Sequence, residues 1–301
     1  MTGWAGVARC GGSGRSALAA AWLAACLLLS GALTGCVAVP QGPVTSRVVE
    51  GSDVANPSSG AAAPGSGDLR TASDETEAQR RARIRLELAG AYFSQGQSST
   101  ALDEVKRALA IDPSSAAAYN LRGLIYASLG ELTLAEESFR RSLQLASNGD
   151  ALHNYGWFLC RQRRFGDAQT QFNAALARPE YRGASKTLLA QGVCLARSGD
   201  WVQAEKTLQR SYELDASNPA TAINLAEVLM RRGELERARF YVSRVNAVPA
   251  LSDAETLWLA ARIEQRRGNA EGVEALGGEL RKRFPESRQA QSFERGQFDD
   301  E

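Results

Sequence analysis

From Ala82 onward the chain repeats itself about every 34 residues, and that period limits it to stacked copies of one small unit. Three copies carry a leucine or tyrosine, a glycine four residues on and a second large residue three beyond that. Tyr119, Gly123 and Tyr126 follow this order, as do Leu152, Gly156 and Leu159, and Leu188, Gly192 and Leu195. Leu88, Ala89 and Tyr92, and Leu225, Ala226 and Leu229, keep the small and large places in copies one and five. An alanine and then a large apolar residue come further along: Ala135 and Phe139, Ala168 and Phe172, Ala204 and Leu208, Ala238 and Val242. The spacing of three and four places each set on one helix face. Gly96, Gly130, Gly199 and Gly233 fall between the two sets, where a helix C-cap favours φ > 0. Arg163 holds that place in the third copy and leaves its turn undetermined. Each copy therefore predicts a helical hairpin whose small residues let the two helices approach. A single hairpin leaves an apolar face bare, and stacking buries it.

The copies start near 82, 116, 149, 185, 219 and 254. Extra residues before the fourth lie in a longer loop, Ala177-Arg178-Pro179-Glu180-Tyr181-Arg182-Gly183. This pattern resembles the tetratricopeptide repeat. The expected fold is all-α: a right-handed superhelix of about six helix-turn-helix repeats over residues 81–290, with a polar tail at 291–301 that frays or caps the last helix.

The N-terminus reads differently. Arg9 and Arg15 precede an apolar run from Ala17 to Leu33, and Leu33-Thr34-Gly35-Cys36 follows. A positive start, a short apolar stretch and small residues predict a secretory signal over 1–35. The last four residues resemble the bacterial lipobox, which implies lipidation of Cys36; Val37 behind it implies sorting to the outer membrane. Each buried acyl CH₂ contributes about 0.8 kcal/mol, so several chains make a lasting anchor. Residues 36–80 are then the lipidated N-terminus and a flexible linker, rich in Pro, Gly, Ser and Ala and without amphipathic period. Its root-mean-square reach is roughly 35 Å.

The chain has 35 Lys and Arg against 34 Asp and Glu, and a single histidine, His153. With no basic excess, nucleic acid is not an expected partner. One histidine gives little basis for a metal centre or His-based catalysis. Neither a Gly-rich phosphate loop nor a nucleophile elbow appears, so no enzyme activity, cofactor or small-molecule substrate is expected. The carboxylate pairs Asp103-Glu104 and Glu136-Glu137 read as solvated positions on second helices, and His153 as a structural or solvent-facing residue rather than a groove contact. Cys160 and Cys194 sit late on the first helices of repeats three and four. They pair as a disulfide in an oxidising compartment, or stay as buried thiols.

Two sets of residues suit binding. First helices line the inner surface of such a stack, where Leu86, Phe93, Leu124 and Trp157 would form an apolar partner groove edged by Arg83 and Asn120. The alternative is that these side chains pack between repeats. Arg161, Arg197, Arg231 and Arg266 recur at position thirteen of four consecutive repeats. They would make a basic rim able to read acidic groups, or a solvated face whose stems cover apolar surface.

Local strings carry a closer likeness. Asn154-Tyr155-Gly156-Trp157-Phe158-Leu159 opens repeat three, Arg178-Pro179-Glu180-Tyr181 precedes repeat four, and Leu280-Arg281-Lys282-Arg283-Phe284-Pro285-Glu286-Ser287 closes the last helix. With the lipobox, the linker and six repeats, the chain resembles the type IV pilus biogenesis lipoproteins of the PilF/PilW type, the pilotins. That resemblance implies a lipoprotein on the periplasmic face of the outer membrane. It implies binding to the pilus secretin subunit, and help with its localisation and multimerisation. The rival reading is a general periplasmic scaffold lipoprotein that recruits envelope-assembly enzymes.

Overall fold

The computed structural model describes residues 76–298, and among these there are thirteen α-helices and no strand. The signal segment, Cys36 and most of the linker lie outside the described residues. The helices pair into six antiparallel hairpins: α1 (Glu77–Ser94) with α2 (Ser98–Ile111), α3 (Ala116–Ser128) with α4 (Leu132–Leu145), and α5 (Gly149–Arg161) with α6 (Phe165–Leu176). Then come α7 (Ala184–Arg197) with α8 (Trp201–Leu214), α9 (Pro219–Arg231) with α10 (Leu235–Asn246), and α11 (Ala254–Arg267) with α12 (Ala270–Arg283); α13 (Arg288–Glu294) follows.

The small residue of each first helix is where the hairpin closes. A Cβ added to Gly123 would stand 2.8 Å from the Phe139 ring, and one on Gly156 would stand 2.9 Å from Phe172. At Gly192 the obstacle is Leu208, at 2.5 Å. Phe139, Phe172 and Leu208 are fully buried as a result. Each contributes about 2–3 kcal/mol by leaving water. The turns are of one kind. In α1 the Gln97 amide donates to the Tyr92 carbonyl across Gly96, whose φ is +76°. Glu131 to Tyr126, Asp200 to Leu195 and Glu234 to Leu229 repeat that bond. This is the Schellman closure, which satisfies carbonyls the helix end would leave unpaired. Arg163 makes it too, with Arg164 donating to Leu159 and φ at +60°. The turn left open by the sequence is thus the same as the others, held by the packing on either side.

Two boundaries move. The first helix begins at Glu77, not near 82, because the Thr76 side chain caps the Gln79 amide and Gln79 returns a bond to the Thr76 amide. Residues 76–80 therefore belong to the repeat stack and not to the linker. At the other end, residues 288–294 are helical, so of the two expectations for the tail it caps the last hairpin and does not fray from 291. Phe293 of α13 fits over Gly277 of α12, where no side chain stands in its way. Two apolar residues, Ala290 and Phe293, are too few to reveal a period in sequence, yet they close the open end of the last hairpin.

Candidate protein-interaction groove

First helices α5 and α7 lie side by side, and Cys160 and Cys194 form a disulfide between them with a Cα–Cα distance of 5.8 Å. Both are buried. The bond ties repeats three and four together directly beneath the inner surface. The inserted loop is fixed at the same junction. Tyr181 packs onto Gly149 and Gly183, which have no side chains to block its ring. Its hydroxyl is 2.7 Å from the Thr187 hydroxyl, and Thr187 in turn meets His153 Nδ1 at 2.9 Å. His153 is buried. Burial, reinforced by the charge of Lys186, depresses its pKa to about 4. It is a structural residue by its ring contacts, and it also edges a pocket described below.

Three of the predicted groove residues come together. Phe93 of α1, Leu124 of α3 and Trp157 of α5 line one pocket of about 250 Å³, with Leu132, Phe158 and Arg161. Asn120 sits one step back, where Asn154 donates to its side-chain oxygen at 3.3 Å; Asn154 lines the pocket. The other two are elsewhere. Leu86 packs into the core between the first two repeats, and Arg83 pairs with Glu87 on its own helix. Leu86 packs against the core of the first two repeats, as Phe93 also does, but unlike Phe93 it lines neither pocket.

Trp157 also borders a second and larger pocket, of about 460 Å³, lined by His153, Lys186, Leu189, Ala190, Val193 and Asn224. This half was not anticipated. Its signal lay in repeat four, where Leu189 and Val193 hold the register positions that Asn120 and Leu124 hold in repeat two.

The basic rim is not four equivalent free arginines. Arg161 lines the first pocket. Arg197 lies over the Trp157 ring, 5.0 Å from its centroid, and Arg231 over Trp201 at 5.6 Å. Arg266 donates to the Met230 carbonyl at 3.3 Å. The last three each reach back one repeat and clamp it. Among the described residues, none of the four is ion-paired with a carboxylate. The buried glutamates are the opposite. Glu104 is held by Arg85 and Arg107, Glu205 by Arg232 and Arg237, and Glu264 by Arg239 and Arg267. Glu104 and Glu136 are therefore not solvated positions, whereas Asp103 and Glu137 are exposed. The bond from Arg85, above all, holds the Glu104 carboxyl below its ordinary pKa. Burial pushes Glu136 upward, but bonds from Arg164 and Tyr155 overcome it and leave a net lowering.

A stack of helical hairpins with an apolar, cation-edged inner surface is a tetratricopeptide repeat scaffold, a class that works by holding other proteins. Tetratricopeptide repeat profiles match residues 90–130, 116–148, 159–220 and 195–257. The type IV pilus assembly protein PilF of Pseudomonas aeruginosa is 29% identical over 227 residues, covering 75% of this chain and 88% of that protein. The crystal structure of PilW, a widely conserved type IV pilus biogenesis factor, superposes with a TM-score of 0.67 at 30% identity, over 70% of this chain and 97% of that one. The structure of P. aeruginosa PilF gives 0.63 at 25% identity, over 73% and 100%. The chain belongs to the PilF/PilW family of type IV pilus biogenesis factors.

Proposed function

We propose that this protein is an outer-membrane lipoprotein that binds the type IV pilus secretin and promotes its localisation and multimerisation. The observation that carries this reading is the Trp157-centred groove on the first-helix face, in a chain of a pilus biogenesis family. Lipid on Cys36 supplies location and the groove supplies recognition. Holding both partners at one membrane raises their effective concentration, so a modest groove affinity suffices. The scaffold serves binding and not bond chemistry: its buried carboxylates are neutralised by arginines, and its histidine is committed to Thr187.

The test is a deletion strain probed for heat- and detergent-resistant secretin multimers in outer-membrane fractions. Complementation uses wild type, Cys36→Ala and Trp157→Ala. The expected result is loss of multimers on deletion, full rescue by wild type only, and weak rescue by either variant. Normal multimers in the deletion strain would sink the proposal and favour a general envelope scaffold.

A further inference from the structure

The chain carries its own example of a bound segment. After α13 the backbone turns at Gly296, φ +65°, and returns to the first helix α11. There the Phe298 ring stacks on Trp258 with centroids 5.1 Å apart and planes at 25°. Arg262 Nε donates to the Phe298 carbonyl at 3.1 Å. Trp258 and Arg262 lie one turn apart on α11, at the register positions that His153 and Trp157 hold on α5. They belong to the groove face. The aromatic side chain and the carbonyl of Phe298, in a turn, are thus held by a tryptophan and an arginine four residues later. The residues that follow Phe298 are Asp299, Asp300 and Glu301.

Trp157 and Arg161 on α5 are also a tryptophan and an arginine four residues apart, and both line the first pocket. Among the described residues, no aromatic ring stacks on Trp157. Arg197 lies over its face, and Lys186 lines the adjoining pocket. No carboxylate among the described residues pairs with Arg161, Lys186 or Arg197. Arg161 at one pocket, Lys186 at the other and Arg197 over the tryptophan the two pockets share call for negative charge on whatever enters.

We infer that the groove takes a partner segment in which an aromatic side chain is flanked by acidic residues. The ring packs against Trp157, and Arg161, Lys186 and Arg197 meet the backbone and the acids. This rests on the groove being the partner site and specifies what it recognises. The occupant is a partner segment and not the tail of a second copy, because each copy's Phe298 is already seated on its own Trp258.

The probe is a fluorescein-labelled peptide, Arg-Gly-Gln-Phe-Asp-Asp-Glu, titrated by anisotropy against the full chain in detergent. Saturable binding is expected. It should weaken at least tenfold with Trp157→Ala or with alanine replacing the peptide phenylalanine, and stay unchanged with the double change Trp258→Ala and Phe298→Ala, which removes both the tail's seat and its ring. Arg161→Glu, an exposed change that leaves the fold alone, should weaken the acidic peptide several-fold and favour one with lysines in place of the acids. Equal binding by the alanine peptide, or by Trp157→Ala, would overturn the inference. So would concentration-dependent dimerisation abolished by Phe298→Ala, which would make a second copy the occupant. Secretin capture is measured on the same variants. Trp157-dependent capture without peptide binding removes only this inference; Trp157-dependent peptide binding without capture removes only the secretin reading.

Discussion

Gly123 on α3 faces the Phe139 ring on α4 so closely that an added Cβ would stand 2.8 Å from two of its ring carbons. That contact, repeated at Gly156 with Phe172, sets the spacing of the hairpins. A methyl group there must displace a fully buried ring in a close-packed core. We expect Gly123→Ala to cost about 1–3 kcal/mol, read from urea denaturation, despite alanine's better helix propensity. Gly90, on α1 about one repeat earlier, has nothing within 4 Å of an added Cβ. Gly90→Ala should therefore be neutral or stabilising by up to about 1 kcal/mol.

The Cys160–Cys194 bond closes a sequence separation of 34 residues. Its main effect is on the unfolded chain, whose freedom it restricts. Replacing both cysteines with alanine should cost about 2–4 kcal/mol. A reducing agent should lower the Tm of the wild type and leave that of the double variant where it was. An unchanged wild-type Tm would mean that the two thiols are not bonded in solution.

Arg163 adopts a φ of +60° where the other hairpin turns have glycine. A side chain in that region costs about 1–2 kcal/mol, and glycine's greater freedom in the unfolded chain returns part of it. Arg163→Gly should stabilise by about 0.5–1 kcal/mol, seen as a higher denaturation midpoint at constant slope. Arg163 also lies over Phe165 at 5.9 Å, and losing that contact keeps the gain modest.

His153 is neutral in the folded state, its pKa lowered to about 4 by burial and by Lys186. In the unfolded chain it protonates near 6.5. Between those values the unfolded state binds more protons, so stability falls as pH drops through this window, by about 3 kcal/mol when complete. Glu104 and Glu136 behave differently. Their folded pKa values are depressed, so their contribution is present above the ordinary carboxylate range and is lost only as pH falls below it. His153→Gln should remove the dependence between pH 6.5 and 4 and leave the more acidic loss in place. Thermal melts across pH 3–8 check it; an unchanged profile in the variant would assign the window to other groups.

The hairpins were legible because each obeys a local rule written several times over. A small residue opposite a large one, and a glycine at the helix end, show as a period whichever copy is read. The ends were less legible. Thr76 and Gln79 form a capping box that a search for period passes over, and α13 is too short to have a period of its own. Phe93, Leu124 and Trp157 could be placed on one face from register alone. Leu86 and Phe93 pack against the same core, yet only Phe93 also reaches the pocket, because register fixes the face and not which of its side chains the neighbouring repeats leave open.

The sequence by itself determined the repeat, the all-helical class, the turn positions and the pilus-family likeness. All of these rest on interactions between residues near in the chain or on strings within one repeat. The tertiary structure decided which cations are committed. Arg237 is committed to Glu205 one repeat back, whereas Arg197 lies over Trp157 with no carboxylate paired to it among the described residues. It also decided that the tail folds back so that Phe298 meets Trp258. Those pairings join residues about a repeat or more apart in the chain. They depend on the angle between stacked hairpins, a quantity that no local period encodes.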